Sequence, residues 1–301
     1  MTPYGSSGPQ SELTGFDFTA FYALGGVMGL MGDPKDKLLR GGNESYRTGM
    51  GDLPTGLALT SAILSGLHLR ERTGRGCEVE TSLLRNAGFV IGCDLSVAMV
   101  DNKQPDPFDR EKTGSPLVRA YLCSDGRKIF FCQPISWGKY WGRFTEMIGK
   151  GAEWGEFKNV VPALNVEVHE EIEAIMATKT LQEWTDLSAA AELTFAPVAT
   201  LPEYVASEQA QAAGAVATLD HPLYPDGLKI PNTPFGIPGE DVTPRGPAPE
   251  PGEHTVEVLK GVGYSDDELA AFEASGVVGH VPMPGGALER WGNTMRAATG
   301  K

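Results

Sequence analysis

The sequence predicts a mixed fold of helices and short strands that is divided into two domains. The chain has 301 residues, and a domain typically holds about 150 residues. Hydrophobic residues make up 41% and charged residues 21% of the chain, which is ordinary for a folded globular protein. Helical and strand-like patterns lie on both sides of a polar stretch at 101–116. We therefore place a domain boundary in that stretch.

The N-terminal part is predicted to be mainly helical. Residues 17–31 are apolar on nearly every side, which is typical of a buried helix. The clearest helix is predicted over 52–72, where Asp52 is placed to cap the first turn. Residues 77–82 alternate like a strand, and 83–100 have the pattern of a second long helix. The apolar stripe of the helix over 52–72 consists of Leu53, Leu57, Leu64 and Leu67.

The rest of the chain predicts a hairpin, several helices and a proline-rich connection. Two apolar runs within 119–133 are joined by a Ser-Asp-Gly sequence, which favours a β-hairpin. The segment 194–216 predicts a strand, a short helix and another strand, and seven prolines in 231–251 predict an extended connection. The second of two short helices within 253–278 is capped by Ser265. Further helices are predicted near 137–149, 167–177 and 180–191.

The charge balance argues against two classes of partner. The formal net charge is −14, and a chain this acidic lacks the basic surface that nucleic acids and anionic membranes attract. No run of about 18 uncharged apolar residues occurs, so no membrane-spanning helix is predicted. The N-terminus lacks the pattern of a signal peptide. We therefore expect neither a nucleic-acid partner nor a membrane partner.

The four cysteines are expected to be reduced. They are scattered along the chain without a CxxC pair, although two of them flank the predicted hairpin. Small buried hydrophobic residues explain them better than a disulfide or a zinc site. We therefore expect a reducing, cytoplasmic compartment and no metal site. The cysteines are Cys77, Cys93, Cys123 and Cys132.

A carboxylate in a glycine-rich setting is the strongest candidate for chemistry. The five histidines lie apart, and the sequence has no HExxH, GxSxG or P-loop motif and no GxGxxG after a strand. Zinc, serine-nucleophile and phosphate-loop mechanisms therefore have no support. What remains is Asp52 in the run GMGDLPTG.

Two interpretations of Asp52 stay open on these residues. In one, the carboxylate only caps the helix. In the other, the helix amides and the helix dipole keep it ionised, and it attacks an activated acyl carbon. In that case Gly49 and Gly51 admit a substrate and leave their amides free to hold an oxyanion. The two roles compete only in part, since a carboxylate has two oxygens.

Six segments along most of the chain carry further motifs. They are YGSSGP, TGFDFTAFYALGGVMGLMG, the block from GMGDLPTG to LHLRERTGRGCEVETSLL, APVATLPEYVASEQAQAAGAV, DHPLYPDGLKIPNTPFGIPG and EHTVEVLKGVGYSDDELAAFEASGVV. In this order they resemble the family III CoA-transferases of the CaiB/BaiF type, which include formyl-CoA transferase, carnitine CoA-transferase and α-methylacyl-CoA racemase. The block that follows the aspartate helix is the most specific of the six.

The resemblance implies an enzyme that moves CoA from an acyl-CoA donor to a free carboxylic acid. The catalytic aspartate of the family falls on Asp52, which forms an aspartyl anhydride and then an aspartyl-CoA thioester. CoA and acyl-CoA are then substrates, no cofactor is permanently bound, and neither metal nor ATP is needed. The alternatives are a racemase-like enzyme, or a non-catalytic or partner-dependent subunit of a split CoA-transferase.

The GFD motif separates transferases from racemases within the family that the chain resembles. Racemases have a histidine where this chain has Phe16, and an imidazole suits proton transfer at neutral pH. Phe16 and Asp17 therefore favour a transferase. Asp17 is either an acid near the substrate or another helix cap. Thr14 stands where some transferases have a lysine that contacts CoA.

The resemblance also suggests contacts with substrate or CoA. An acidic protein that binds an anionic substrate needs local basic spots. In the glycine-rich loop, Lys37, Arg40 and Arg47 either meet the CoA phosphates or are simply solvated. The candidate binding residues are Phe16, Asp17, Arg47, Gly49 and Gly51.

The fold implied by the resemblance is the α/β fold of family III, with a large α/β domain and a smaller α+β domain. We expect 1–105 in the large domain, 106–200 in the small domain and 201–301 back in the large one. The Rossmann-type half that opens full-length members is expected to be missing, which suggests a truncated gene product, a subunit of a split transferase or an inactive remnant. Family chains interlock in pairs. The implied partner is therefore a second copy, or a chain that supplies the missing half.

Overall fold

The computed structural model divides the chain into two compact units, Met1–Ala196 and Pro197–Lys301. The structure describes residues 1–31, 47–105, 115–133, 137–154, 166–221 and 224–279. The expected assignment of 1–105, 106–200 and 201–301 to a large and a small domain stays a prediction.

The first unit begins with two short helices on either side of a glycine break. A π-helix spans Asp17–Leu24, and helix α1 spans Val27–Met31. The prediction of a single helix over 17–31 is therefore wrong, because the segment forms two helices. The break includes Gly26, whose φ of +82° is readily adopted only by glycine.

Helix α2 spans Asp52–Thr73, which confirms the helix predicted over 52–72. It ends at Gly74, which has a left-handed φ of 70° and donates its amide to the Arg70 carbonyl at 2.8 Å. An apolar stripe usually faces a core, but the stripe of α2 is exposed in this chain. Its exposed side chains are Leu53, Leu57, Leu64 and Leu67.

Residues 77–82 form no strand, so that prediction is wrong. An isolated parallel bridge joins Thr2 to Ser82, and the Thr2 amide donates to the Thr81 carbonyl at 3.2 Å. The Leu83 amide donates in turn to the Thr2 carbonyl at 3.2 Å. The side chains alternate as in a strand, but a strand also requires a continuous ladder with a neighbour.

Helices α3, Leu83–Val90, and α4, Gly92–Asp101, meet at an angle of 83°. The single helix predicted over 83–100 is therefore wrong. The bend lies at Ile91, whose ψ of 21° departs from helical geometry. Among the helices described, none is by itself long and apolar enough to cross a membrane, while α3 and α4 together meet that test by length and composition.

A three-stranded sheet and its helices follow along the chain. Strands β1, Val118–Leu122, and β2, Lys128–Cys132, form the predicted antiparallel hairpin, and β3, Phe195–Pro197, pairs next to β2. The hairpin turn contains Gly126 with φ of +77°. The helices predicted near 137–149, 167–177 and 180–191 are confirmed, and a fourth, short helix that was not predicted follows the first of them. The helices are α5, Trp137–Met147, α6, Gly151–Trp154, α7, Val166–Met176, and α8, Leu181–Ala190.

Two apolar clusters hold the elements of the first unit. In one of them, which contains the sheet and helices α5 to α8, Trp141 and Trp184 are at most 1% exposed. The Trp184 indole N–H donates to the Met176 carbonyl at 2.7 Å, so its buried polar atom is satisfied. The other cluster packs the π-helix against α1 and α3 and consists of Ala20, Phe21, Tyr22, Val27, Leu83 and Ala87.

The second unit contains short helices and a hairpin. The strand–helix–strand pattern predicted over 194–216 is confirmed, with the helix divided at Ser207. Ser265 and Glu268 cap each other's amides as predicted. Within 232–251 the backbone forms no helix or strand beyond an isolated bridge. This agrees with the extended connection predicted from the prolines. The elements are α9, Leu201–Ala206, α10, Glu208–Ala212, β4, Val216–His221, β5, Tyr224–Pro231, α11, Thr255–Gly261, and α12, Asp266–Ala274.

The four cysteines are free thiols with different environments. Cys123 is buried, as expected for a small hydrophobic residue, and Cys132 is partly buried. Cys77 and Cys93 are exposed, so the expectation of burial is wrong for these two. In the described part of the chain, no group of three or more His, Cys, Asp or Glu side chains could hold a metal ion.

The glycine between the π-helix and α1 provides a test of the packing. A Cβ atom at Gly25 would lie 2.2 Å from the Phe21 carbonyl oxygen and 2.3 Å from the Ala87 Cβ. We expect Gly25→Ala to lower the free energy of unfolding by about 1–3 kcal/mol, because backbone and core must shift. Urea denaturation followed by circular dichroism measures this change.

Gly56→Ala in helix α2 is the matched control. A Cβ atom at Gly56 meets nothing within 4 Å, so alanine should stabilise the helix by about 0.5–1 kcal/mol. Equal effects of the two substitutions would contradict the packing described for Gly25.

Candidate active site

A tight turn places Asp52 at the first residue of helix α2. The Leu53 amide donates to the Gly49 carbonyl at 3.0 Å, and the Thr55 amide donates to the Gly51 carbonyl at 3.1 Å. Gly49 has a φ of +87°, which glycine adopts without strain. The carboxylate of Asp52 therefore lies at the positive end of the helix dipole.

The turn is held by the carboxylate of Asp17. The Gly49 amide donates to Oδ2 of Asp17 at 2.7 Å, and the Gly51 amide donates to Oδ1 at 3.1 Å. Asp17 is only 3% exposed. A Cβ atom at Gly51 would lie 2.2 Å from Oδ1 of Asp17 and 2.4 Å from Cγ of Phe21. Gly51 is therefore required for the close approach of this turn to the π-helix.

These contacts correct the expected role of the two glycines. Their amides are not free to hold an oxyanion, because both donate to Asp17. The absence of a side chain at Gly51 allows packing against Asp17 and Phe21. A contact of Gly49 or Gly51 with a substrate stays a prediction.

The structure tests one of the two interpretations of Asp52, that it caps the helix. The N-cap residue of α2 is Gly51, and no side chain caps this helix. Asp52 is exposed, and its carboxylate accepts no hydrogen bond from any residue that the structure describes. The expectation that Asp52 caps the helix is therefore wrong.

Asp17 is neither solvated nor a helix cap. It is the first residue of the π-helix, and Phe16 is the N-cap. Burial raises the pKa of the Asp17 carboxyl, the hydrogen bond from Gly49 lowers it, the charge of Asp52 raises it, and the hydrogen bond from Gly51 lowers it. The balance leaves this pKa above its ordinary value.

A cavity of about 400 Å³ adjoins the two acids. Its volume lies in the range of small-molecule sites, which is about 300–1,000 Å³. It brings together Phe16, Asp17 and Asp52 from the predicted set. Its lining residues are Met1, Thr2, Pro3, Gly15, Phe16, Asp17, Phe18, Thr48, Asp52 and Leu83.

Phe16 stands at the edge of this cavity with 69% of its surface exposed. Its amide donates to Oγ1 of Thr19 at 2.9 Å, which fixes the backbone at the start of the π-helix. Sequence reasoning missed Phe18, Thr48 and Leu83 as wall residues. Only their places next to the GFD motif, the glycine turn and a predicted helix start could have drawn attention to them.

Of the three predicted basic contacts, Arg47 is the one that lies among the described residues. Arg47 has an exposed side chain and does not line the cavity, while its carbonyl accepts a hydrogen bond from the Tyr22 hydroxyl at 3.0 Å. Lys37 and Arg40 lie outside the described residues. A role for these three side chains in binding CoA phosphates stays a prediction.

Comparison of the backbone with solved structures establishes the fold. A CaiB/BaiF family protein from Brucella suis matches 87% of this chain with a TM-score of 0.67 and 21% sequence identity, over 66% of its own length. A protein from Mycobacterium tuberculosis matches 85% of this chain with a TM-score of 0.66 and 22% identity, over 66% of its own length. The chain thus has the α/β fold of these proteins.

Sequence comparison establishes the family. The family model described as CoA-transferase family III matches residues 1–255. The (R)-2-hydroxy-4-methylpentanoate CoA-transferase of Clostridioides difficile is 33% identical over 282 residues, which are 91% of this chain and 68% of that protein. The chain therefore belongs to CoA-transferase family III, a family of enzymes.

Two further relatives have names that describe different activities. The cinnamoyl-CoA:phenyllactate CoA-transferase of Clostridium sporogenes is 28% identical over 91% of this chain, which spans 66% of that protein. The α-methylacyl-CoA racemase of Mus musculus is 25% identical over 92% of this chain and 70% of its own length. The chain spans about two thirds of the length of the relatives it matches.

The raised pKa of Asp17 has a measurable consequence for stability. Just above the ordinary value of 3.8 the folded chain retains a proton on Asp17 that the unfolded chain has lost. The free energy of unfolding should therefore fall as pH rises through this window. Asp17→Asn removes the titrating group and should flatten this part of the pH dependence.

Urea midpoints of both proteins at about pH 4 and about pH 7 measure the difference in slope. Parallel pH profiles for wild type and Asp17→Asn would show that burial does not raise this pKa.

Proposed function

We propose that this chain carries the catalytic nucleophile of a CoA-transferase that moves CoA from an acyl-CoA donor to a free carboxylic acid. The observation that supports the proposal is the position of Asp52. Its carboxylate lies at the N-terminus of α2, on the wall of a cavity, and without a hydrogen-bond partner among the described residues. An exposed carboxylate in such a setting can act as a nucleophile on an acyl carbon.

In the first half of the proposed reaction, an oxygen of Asp52 attacks the thioester carbonyl of the donor. A C–O bond forms, the C–S bond breaks, and CoA leaves as a thiolate from a mixed anhydride. The thiolate then attacks the aspartyl carbonyl carbon. This step forms the aspartyl-CoA thioester and releases the donor acid as a carboxylate.

In the second half, the carboxylate of the acceptor acid attacks the aspartyl-CoA thioester. CoA thiolate leaves again, and a second anhydride joins Asp52 to the acceptor. The thiolate attacks the acyl carbon of the acceptor, which gives the new acyl-CoA and restores the Asp52 carboxylate. The thioester bond energy is conserved through both halves without an external energy source.

Asp17 acts in this proposal as a positioning residue. It fixes the turn of Gly49 and Gly51 by two hydrogen bonds, and the next residue in the chain is the nucleophile. A nucleophile gains much of its rate from a fixed orientation toward the acyl carbon.

A racemase-like reaction is the enzymatic alternative. It requires a proton-transferring group on each side of the α-carbon, and Phe16 cannot supply one. Incubation of the protein with an acyl-CoA in deuterium oxide without an acceptor acid separates the two reactions. Deuterium at the α-carbon would favour the racemase-like alternative, whereas transfer without exchange would favour the CoA-transferase.

We also propose that the active form contains a partner chain, either a second copy or a chain that supplies a Rossmann-type half. The support is the apolar surface that the described chain leaves exposed. Phe89, Met99 and Val100 are 85%, 74% and 84% exposed. Apolar patches of this kind mark interaction surfaces. If no such partner is needed, the chain should transfer CoA as an isolated monomer.

The four free cysteines support a reducing compartment as part of the proposal. Proteins of oxidising compartments usually pair their cysteines, and none of these is paired. A cytoplasmic location is the simplest one consistent with an acyl-CoA substrate.

Replacement of the nucleophile is the direct test of the function. Asp52→Asn should lower the rate of CoA transfer at least about 1,000-fold, because an amide oxygen is a poor nucleophile. Transfer is measured by chromatography of the acyl-CoA products. Hydroxylamine added during turnover of the wild type should yield a hydroxamate at Asp52, detected by peptide mass spectrometry.

Asp94→Asn is the matched control, since Asp94 is also an exposed acid in the first turn of a helix. It should transfer CoA at the wild-type rate. Full activity of Asp52→Asn, or a hydroxamate at another residue, would overturn the assignment of the nucleophile.

The proposed partner surface is tested by adding charge to helix α4. The double variant Met99→Lys, Val100→Lys should reduce association, because two exposed apolar side chains would become cationic. Size-exclusion chromatography with light scattering measures the mass of the wild type and the variant. Gln209→Lys, at an exposed position of the second unit, is the control. A monomeric wild type with full transfer activity would contradict the partner.

A further inference from the structure

Three hydrogen bonds tie the segment before the proposed nucleophile to the π-helix, and the proposed mechanism uses two of them. Asp17 accepts the Gly49 amide at 2.7 Å and the Gly51 amide at 3.1 Å. The third bond comes from Tyr22, whose hydroxyl donates to the Arg47 carbonyl at 3.0 Å. The bonds therefore fall on alternate residues of the segment, and the nucleophile follows the last of them.

The π-helix brings the two side chains that make these bonds to one side. Asp17 and Tyr22 lie five residues apart in this helix. In an α-helix, with 3.6 residues per turn, the second side chain would point about 140° away from the first. A π-helix closes its hydrogen bonds between residues five apart, so its wider turn brings such residues back to the same side. Both side chains are buried, with Asp17 3% and Tyr22 0% exposed.

Two aromatic neighbours fix the ring of Tyr22. It stacks on Phe18 with ring centroids 5.6 Å apart and 18° between the planes, and Phe18 lines the cavity. It meets Phe21 edge to face at 5.4 Å and 83°. Phe21 is the ring against which Gly51 packs. The Tyr22 hydroxyl is therefore held in place, and its bond to a carbonyl offsets the cost of its burial.

The Arg47 carbonyl is the point at which Tyr22 controls the turn. The next residue, Thr48, lines the cavity together with Asp52. Tyr22 thus fixes the backbone where the chain enters the cavity wall, and Asp17 fixes it where helix α2 begins. A turn that is held at one end only is free to pivot about that end. Because both ends are held, the turn presents Asp52 in one orientation.

We propose that Tyr22 is a positioning residue for Asp52. The inference rests on the proposed function and adds to it a residue that touches neither the substrate nor the reacting atoms, because Tyr22 has no exposed surface. The Tyr22 hydroxyl acts through the Arg47 carbonyl and the turn, and it sets the orientation from which Asp52 attacks. Much of the rate of such an attack depends on this orientation.

Amide hydrogen exchange of the full chain tests the hold of Tyr22 on the turn. Tyr22→Phe removes the hydroxyl and leaves the ring and its packing in place. The amides of Gly49 and Gly51 exchange when the turn opens. They should exchange at least about tenfold faster in this variant, because the Arg47 carbonyl loses this hydrogen bond. Mass spectrometry with fragmentation to single amides measures the rates, and it requires no substrate.

Tyr121→Phe is the matched control. Tyr121 is also 0% exposed and donates its hydroxyl to the Pro116 carbonyl at 2.8 Å, but it belongs to the apolar cluster of the three-stranded sheet. Its substitution should leave the amide exchange of the turn at the wild-type rate. Unchanged amide exchange in Tyr22→Phe, or equal acceleration in both variants, would overturn the proposal. So would loss of the fold in Tyr22→Phe alone, because the hydroxyl would then support the whole unit.

The kinetics of transfer test the consequence for Asp52. Transfer is followed as the passage of a deuterated acid into its own unlabelled acyl-CoA, with acetate, butyrate and hexanoate as probes. With the probe that the wild type uses fastest, Tyr22→Phe should lower kcat per folded chain at least about tenfold and keep KM for the acyl-CoA within about twofold. Circular dichroism measures the folded fraction, and Tyr121→Phe should keep the wild-type kcat. An unchanged kcat in Tyr22→Phe, or a change in KM alone, would contradict the positioning role.

The outcomes separate this proposal from the proposed function. Loss of transfer in Asp52→Asn with unchanged amide exchange in Tyr22→Phe would keep the nucleophile and remove the role of Tyr22. The reverse result, full transfer in Asp52→Asn with faster amide exchange in Tyr22→Phe, would keep the hold of Tyr22 on the turn and remove the nucleophile.

Discussion

The site depends on one buried carboxylate, that of Asp17. It accepts the amides of Gly49 and Gly51, so the turn before helix α2 is held against the π-helix. Hydrogen bonds to an ionised group are stronger than those to a neutral one. Burial opposes this gain because it disfavours the charge, and the charge of Asp52 adds to that cost. The turn is thus fixed by a group whose ionisation is itself costly.

The same arrangement explains how Asp52 differs from Asp17 although both are aspartates on one cavity wall. Asp17 is enclosed and has its two oxygens engaged, whereas Asp52 is exposed and has neither oxygen bonded to a described residue. The Asp17 carboxylate holds the turn, whereas the Asp52 carboxylate has no hydrogen bond from a described residue.

Local signals in the sequence predicted the elements that local interactions determine. Helix α2, the hairpin turn at Gly126 and the cap at Ser265 all follow from neighbouring residues. The predictions failed where contacts between residues far apart in the sequence determine the structure. The apolar pattern of 83–100 continues through the bend at Ile91, although Gly88 and Gly92 on either side are a local signal of a break. The residue types in 77–82 do not show whether a neighbouring strand is present. The position of Asp52 was predictable from its glycine setting. The hydrogen bonds that Asp17 accepts from amides more than thirty residues away were not predictable from the sequence pattern.

The cavity wall draws on residues from Met1 to Leu83, and this spread has a consequence for the order of folding. Bringing such distant segments together costs chain entropy that only the completed packing offsets. Helix α2 is formed by contacts between near neighbours and requires no such closure. The helix can therefore form before the cavity exists. A folding intermediate at that stage would already display Asp52 but would lack the cavity beside it.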